Sequence, residues 1–261
     1  MTPRDALAAG RLDDAVASQE AVVGDRPDDP AARLFLFELD TLAGRLADAR
    51  DQLRAVHSHD PNWPASRGGF LRLLRAEHRR THRGRRPAFP GDPPAHARRR
   101  WKAVRALRAG DGDAAADWID RADAVSPSPY LAGYVDGREF EGLRDTDDRF
   151  GSVLEVFLGG DYVWVPFEQV RRLTLDPPAG VLDAAFRPGH LALANGPELR
   201  VLVPLVYPGS HRAGGEFALG RETDWPEAPG GLACGVGARV LMVGDEELPL
   251  GECRQIDLLG R

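Results

Sequence analysis

Residues 137–169 read GREFEGLRDTDDRFGSVLEVFLGGDYVWVPFEQ. On the N-terminal side of this stretch the chain runs in Ala, Leu and Arg at helical spacing. On its C-terminal side it breaks into short Val-rich runs punctuated by Gly and Pro. Two kinds of structure therefore meet here. Inside the joint, Ser152-Val-Leu-Glu-Val-Phe-Leu158 and Tyr162-Val-Trp-Val-Pro-Phe167 flank Gly159-Gly160-Asp161, and two β-rich runs either side of a glycine turn predict a hairpin. The second run alternates, with Tyr162, Trp164 and Pro166 on one face and Val163, Val165 and Phe167 on the other, which predicts a strand with one buried face. Pro166, lacking an N–H to donate, suits an edge or a strand end.

Working back from the joint, the N-terminal half contains a repeat. Gly10, Gly44 and Gly110 are each followed by an alanine five residues later (Ala15, Ala49, Ala115) and by a proline twelve residues after that (Pro27, Pro61, Pro127). The first two glycines are 34 residues apart. That period and register resemble tetratricopeptide repeats, which are antiparallel helix pairs. The residue types have matching jobs: glycine ends the first helix in a left-handed conformation, alanine lets the second helix cross close to the first, and proline closes the pair. The third copy follows the second by 66 residues, nearly two repeats, so a degenerate unit is expected in between. Helices are expected near 3–9, 12–24, 29–43, 45–57, 64–83, 94–109 and 112–125, with core faces from Leu34, Leu36, Phe37, Leu39 and Leu42 in the third and from Phe70, Leu71, Leu73 and Leu74 in the fifth. Residues 84–94, with Pro87, Pro90, Pro93 and Pro94, read as a loop.

Beyond the joint the hydrophobic pattern has period two. Strands are expected at 152–158, 161–167, 182–187, 190–194, 198–206, 238–243 and 253–258, with loops at 176–180 and 207–215, while 226–237 is too Gly-rich for an element. The fold class is α+β: a tetratricopeptide-like helical domain over 1–130, then a small antiparallel β barrel or sandwich over 131–261.

The 261 residues are 43% hydrophobic and 28% charged, an ordinary soluble composition with enough chain for two cores. Met1-Thr-Pro-Arg-Asp5 opens no secretory leader, and no run approaches the roughly 18 apolar residues of a membrane span, so a cytoplasmic protein with no membrane partner is expected. The two cysteines, Cys234 and Cys253, form no CxxC pair and indicate neither a disulfide framework nor a zinc site. The net charge of -6 conceals a bipolar layout: residues 67–108 hold 14 basic side chains against two acidic ones, the remainder 20 against 38. Such a run could face nucleic acid, an acidic protein or the molecule's own acidic half.

No set of residues argues for catalysis, a metal or a cofactor. His78 and His82 have the i, i+4 spacing of a metal pair, but Arg75, Arg79, Arg80 and Arg83 crowd them with positive charge. Asp145-Thr-Asp147-Asp148 opens like a calcium loop, yet Arg149 stands where an oxygen ligand belongs, which favours capping or internal ion pairs. Pro208-Gly-Ser-His-Arg212 lacks the frame of a nucleophile elbow, and Gly235-Val-Gly237 precedes no helix that could receive a phosphate. Two other readings stand beside a binding role: an enzyme sited in the β half, and a nucleic-acid binder using the Arg run, where interleaved aromatics are scarce.

A more specific signal comes from five blocks in order: Gly137-Arg-Glu-Phe-Glu-Gly-Leu-Arg-Asp-Thr-Asp-Asp-Arg-Phe150, Tyr162-Val-Trp-Val-Pro-Phe167, Val203-Pro-Leu-Val-Tyr-Pro-Gly-Ser210, Leu219-Gly-Arg-Glu-Thr-Asp-Trp225 and Gly237-Ala-Arg-Val-Leu-Met-Val-Gly244. Together they resemble the ImpE/TagJ family of accessory proteins of bacterial type VI secretion, over nearly the whole chain. The resemblance implies a non-enzymatic cytoplasmic protein without cofactor that binds the N-terminal helix of the small subunit of the contractile sheath, with a link to the sheath-disassembling AAA+ ATPase. It implies no particular binding residues. From the residues themselves, a helix-pair solenoid offers a groove for an amphipathic helix. Arg72, Arg75, Arg79 and Arg83 at i, i+3/i+4 would form one cationic stripe suited to a partner's acids, and exposed surfaces at Trp164 and Trp225 are the alternative.

Overall fold

The computed structural model describes residues 1–82 and 85–259. Its first half is α1 (Pro3–Ala8), α2 (Leu12–Asp25), α3 (Pro30–Leu42), α4 (Leu46–Ala55), α5 (Trp63–Thr81), α6 (Ala95–Arg108) and α7 (Gly112–Asp123), close to the spans expected from periodicity. The pairs α1/α2, α3/α4 and α6/α7 pack internally, and each turns at a repeat glycine. Gly10, Gly44 and Gly110 have φ of +73°, +71° and +83°, which a side chain would strain. In all three turns the N–H three places past the last helical residue bonds back to a carbonyl inside the helix: Arg11 to Ala6 (2.9 Å), Arg45 to Asp40 (2.8 Å) and Asp111 to Ala106 (3.0 Å). The repeat alanines Ala15, Ala49 and Ala115 are wholly buried.

The interval between the second and third copies holds one long helix, α5, rather than a pair. Four prolines at 87, 90, 93 and 94 prevent a companion, because each fixes φ and removes a donor. The chain there runs extended instead. Ala88 donates to the Tyr162 carbonyl and accepts from the Trp164 N–H, both at 2.9 Å.

The second half contains β1 (Ala132–Val135), β2 (Arg138–Glu141), β3 (Leu143–Asp145), β4 (Val153–Leu158), β5 (Asp161–Pro166), β6 (Val170–Leu175), β7 (Phe186–Leu193), β8 (Glu198–Pro204), β9 (Thr223–Asp224), β10 (Val236–Gly237), β11 (Val240–Val243), β12 (Glu246–Pro249) and β13 (Gln255–Leu258), with a short α8 (Gly215–Ala218). Among the described residues, eight strands form one antiparallel sheet in the order β2-β1-β13-β6-β7-β8-β4-β5, and a second sheet runs β12-β11-β3. The end strands β2 and β5 do not pair, so the large sheet stays open; of the two expected architectures, the sandwich holds and the closed barrel does not. The runs expected at 182–187 and 190–194 are one strand, β7, preceded by a 3-10 turn at Val181–Ala184. Strands β1, β2, β3, β6, β9, β10 and β12 were not legible, and the stretch 226–237, expected to be too Gly-rich for an element, holds β10 and a 3-10 turn at Pro229–Gly231. Each of these strands is short or interrupted by charges, as in Val170-Arg-Arg-Leu-Thr-Leu175; β1, β3 and β6 gain their places from partners far away in sequence, and β2 and β12 from the strands they hairpin with.

Two cores lie on opposite sides of β4 and β5. Tyr162 and Trp164 of β5, with Val153 and Phe157 of β4, join the helices around Phe37, Leu39 and Leu74. Val163, Val165 and Phe167 join Leu154 and Val156 in a core closed by Leu241 and Val243 of the small sheet. The hairpin strand therefore has two buried faces, not the single one its alternation suggested, because α5 and α6 roof what would otherwise be the solvent side. The loop at Ala88 covers the free edge of β5, so its backbone is not left as a template for another chain. No helix among the described residues is long and apolar enough to cross a membrane.

Since Ala49 sits without exposed surface in a close helix crossing, Ala49→Leu should overpack the α3/α4 pair and cost about 1–3 kcal/mol in urea denaturation. An unchanged unfolding midpoint would contradict the role of the repeat alanine.

Candidate partner-binding groove and the charge network beside it

α5 organises both features. Pro64 lies in its first turn, and His78, Arg79 and Arg80 in its last turn face the negative end of the helix dipole. Arg80 then turns inward, only 1% exposed, to meet Glu155 in the middle of β4, which is wholly buried. Arg80 donates from Nη2 (2.9 Å) and Nε (3.2 Å) to the Glu155 carboxylate, and from Nη2 to the Val206 carbonyl (2.6 Å). Arg239, from the segment before β11, donates to the same carboxylate and to Asp145 Oδ2 (2.5 Å). The Tyr162 hydroxyl is a third donor to Glu155. Tyr207 donates to Asp145 Oδ1 at 2.9 Å. The rings of Phe150 and Tyr207 take the face of the Arg239 guanidinium at 4.6 and 5.1 Å.

Burial alone would push Glu155 toward its neutral form. Arg80 and Arg239, with the hydrogen bonds from Arg80 and Tyr162, outweigh it and hold the carboxyl down at about 2. Glu77 and Asp145 show the opposite balance. Burial, opposed by Arg80 and reinforced by Glu155, lifts Glu77 to about 7; burial, opposed by Arg239 and reinforced by Asp147, lifts Asp145 to about 6.

The groove lies along another part of α5. Its volume is about 680 Å³, and its apolar floor is formed by Phe70, Phe157, Leu182, Phe186 and Leu202. Arg72, Glu38, Asp183 and Arg200 stand around it. Gly160 turns the β4/β5 hairpin at φ +93° directly over α5, where a Cβ would lie 3.2–3.4 Å from atoms of Arg72. Burial raises Glu38, with Arg4 opposing and Asp183 adding to the shift. Gly69 leaves a stretch of bare helix on the groove wall; a Cβ there would meet only the end of Arg72, at 3.8 Å.

The cationic stripe is only partly a surface. Arg72 and Arg75 are exposed and have no ion pair among the described residues. Arg79 pairs with Asp161 at the start of β5, and Arg83 lies outside the described residues. Trp164 is not an exposed surface: it is 1% accessible, met edge-on by Phe89, Trp101 and Phe150 at 5.8–6.3 Å. The helices roof its face, which strand alternation could not reveal. Trp225 is half-buried against Tyr207, with ring centroids 5.7 Å apart. His78 and His82 stack on one another at 4.8 Å. Asp145, Asp147 and Asp148 pair with Arg239, Arg149 and Arg144, which makes the Asp-rich turn a set of internal ion pairs. Ser210 donates to the Tyr207 carbonyl (2.7 Å) and accepts from the Gly237 N–H (2.8 Å), so it shapes the loop.

Sequence reasoning missed the network itself. Its trace was a lone charge inside each of two apolar runs, Glu155 in 152–158 and Arg239 in 237–244, of opposite sign. The five blocks quoted above all reach this place: Asp145 and Phe150 from the first, Tyr162 and Trp164 from the second, Val206 and Tyr207 from the third, Trp225 from the fourth and Arg239 from the fifth.

Comparison with known proteins gives the same grouping. The family model described as ImpE protein matches residues 137–257, and a tetratricopeptide-repeat model matches 6–68. The type VI secretion system accessory component TagJ of Pseudomonas aeruginosa is 31% identical over 261 residues, covering 98% of this chain and 91% of the relative. The chain belongs to the ImpE/TagJ family. The same fold is seen in the crystal structure of a Vibrio parahaemolyticus protein, with a TM-score of 0.90 at 21% identity over 99% of this chain and 98% of that one. In this ImpE/TagJ member the ImpE match supplies Asp145, Glu155 and Arg239, while Arg80 comes from α5, beyond both matches.

Replacing Glu155 by Leu would strand Arg80 and Arg239 inside the protein. The expected cost is about 3–5 kcal/mol by chemical denaturation, against a near-neutral result if the network were an ornament. A pH test follows from Glu77. An acid whose folded value is raised favours folding below its free value, 4.5, and that contribution is lost as pH climbs through about 7. Glu77→Gln removes the titration, so its stability relative to wild type should rise from pH 4.5 to pH 7.5. A difference that does not change with pH would contradict the assignment.

Proposed function

We propose that this chain is a non-enzymatic accessory protein of a bacterial type VI secretion system, working in the cytoplasm. Its ligand in this reading is the N-terminal helix of the small subunit of the contractile sheath, and its role includes a link to the sheath-disassembling AAA+ ATPase. Membership of the ImpE/TagJ family, with the printed role of the Pseudomonas aeruginosa relative, supports the system. The observation that carries the binding mode is the groove: an apolar floor of aromatic and aliphatic side chains with charged residues of both signs around it. An amphipathic helix presents an apolar stripe flanked by charges, which is the complement of such a surface. One wall comes from the helical part, 1–130, and the other from the β part, 131–261; in this reading the two act as domains that meet around the ligand. Arg72 is the member of the cationic stripe placed to meet an acid on the ligand's flank. Arg75 and Trp225 are secondary contacts.

The Arg-rich run gives less support to nucleic-acid binding. Arg79 pairs with Asp161, Arg80 is inside the network, Arg98 pairs with Asp92, and Arg100 is buried on Asp123. These cations face the molecule's own acids.

The test is titration of the sheath subunit's first helix, as a synthetic peptide, into the whole protein by calorimetry. Wild type should bind, and the peptide should gain helicity, because short isolated helices are marginal in water. Gly69→Trp should fill the groove and weaken binding at least tenfold while leaving the fold intact, since the position opens onto free space and replacing a helix glycine is favourable by a few tenths of a kcal/mol. Arg72→Glu should cost up to about 1 kcal/mol, mostly through a slower, more weakly salt-dependent association. No binding by folded wild type would overturn the adaptor reading; unchanged affinity in Gly69→Trp would move the site elsewhere.

A further inference from the structure

A second cavity, sharing no lining residue with the groove, lies between the C-terminal part of α5, α6 and the loops at 149–150, 208–212 and 228–234. Its volume is about 440 Å³. The lining holds four arginines, Arg80, Arg108, Arg149 and Arg212, and no aspartate or glutamate. Leu107, Pro208 and Pro229 supply its accessible apolar surface, backed by the buried rings of Phe150, Tyr162 and Trp164. The carboxylates that hold two of these cations lie outside the lining: Glu155 and Glu77 on Arg80, and Asp147 on Arg149. Arg149 is fixed further by a bond from Nη2 to the Gly235 carbonyl at 3.0 Å. Arg108 donates to the Arg80 carbonyl at 3.1 Å. Arg212 stands on the loop after Gly209, exposed, with no ion pair among the described residues.

Arg149, already held in place, loses little freedom on binding, and the planar forks of Arg149 and Arg212 match carboxylate and phosphate oxygens. The volume lies within the range of small-molecule sites and exceeds what a bare inorganic anion fills. We propose that this cavity binds a small organic anion: an aromatic or apolar body against Leu107, Pro208 and Pro229, with a phosphate or carboxylate head held by Arg149 and Arg212. This site is independent of the sheath-helix reading, and its test does not use the peptide.

The probes are phenyl phosphate, benzoate, phenol and inorganic phosphate, titrated calorimetrically into the full chain. Phenyl phosphate or benzoate should bind at least tenfold more tightly than both phenol, which lacks the charge, and inorganic phosphate, which lacks the body. The preferred head group tells a phosphate site from a carboxylate site. Arg212→Glu lies outside the buried network and should keep the wild-type melting temperature, yet lose at least tenfold in affinity for the preferred probe. Cys234 lines the cavity while Cys253 is buried, so alkylation reports on the site. The bound probe should slow Cys234 modification several-fold in wild type and have no such effect in Arg212→Glu. Equal affinity for phenyl phosphate, benzoate and phenol, no binding of either anion, or an Arg212→Glu variant that binds and is protected like wild type would each overturn the proposal.

Discussion

The carboxylate of Glu155 is the point on which the two halves of the molecule depend. It sits in the centre of a β-strand, out of reach of water, and is tolerated because donors from three directions meet it: Arg80 from α5, Arg239 from the far end of the β half and Tyr162 from the neighbouring strand. Taking an ion out of water costs several kcal/mol, which only such close and nearly complete pairing can offset. The geometry that satisfies the charge also fixes the docking of α5 on the sheet. An apolar contact could slide; a forked guanidinium bonded to a carboxylate and a backbone carbonyl cannot do so without losing donors.

That docking explains why β4 and β5 are buried on both faces. Open antiparallel sheets commonly leave one face to solvent. Here α5 and α6 occupy that face, and the proline-rich segment after α5 closes the strand edge through Ala88. The missing partner helix of the degenerate repeat is thus replaced by the sheet itself. A repeat array needs a cap at its end, and in this protein the β sandwich takes over part of that task.

The layout also separates structural from available charge. In the basic run of 67–108, Arg79 and Arg80 meet acids of the β half and Arg100 is buried on Asp123 of α7, which leaves Arg72 and Arg75, among the described residues, as stripe cations open to a partner. The five family blocks converge on the buried network, whereas the groove is walled largely by residues outside them.

The sequence by itself determined the local structure. Glycine, alanine and proline at fixed offsets specified three helix pairs because each acts through backbone conformation or close approach within one turn. Gly159-Gly160 specified the hairpin for the same reason. The tertiary structure alone decided which charges are buried together, since Arg80 and Glu155 are 75 residues apart and Glu155 and Arg239 are 84 apart. It decided that Trp164 lies inside, because strand periodicity says which residues share a face and nothing about what covers that face. It also decided the open sandwich, in which the short β1 carries too few apolar residues to announce itself and takes its place by pairing with β13, over a hundred positions away, with β2 hairpinned onto it as the edge. Local signals are written in neighbouring residues; burial and pairing across the chain are properties of the folded whole.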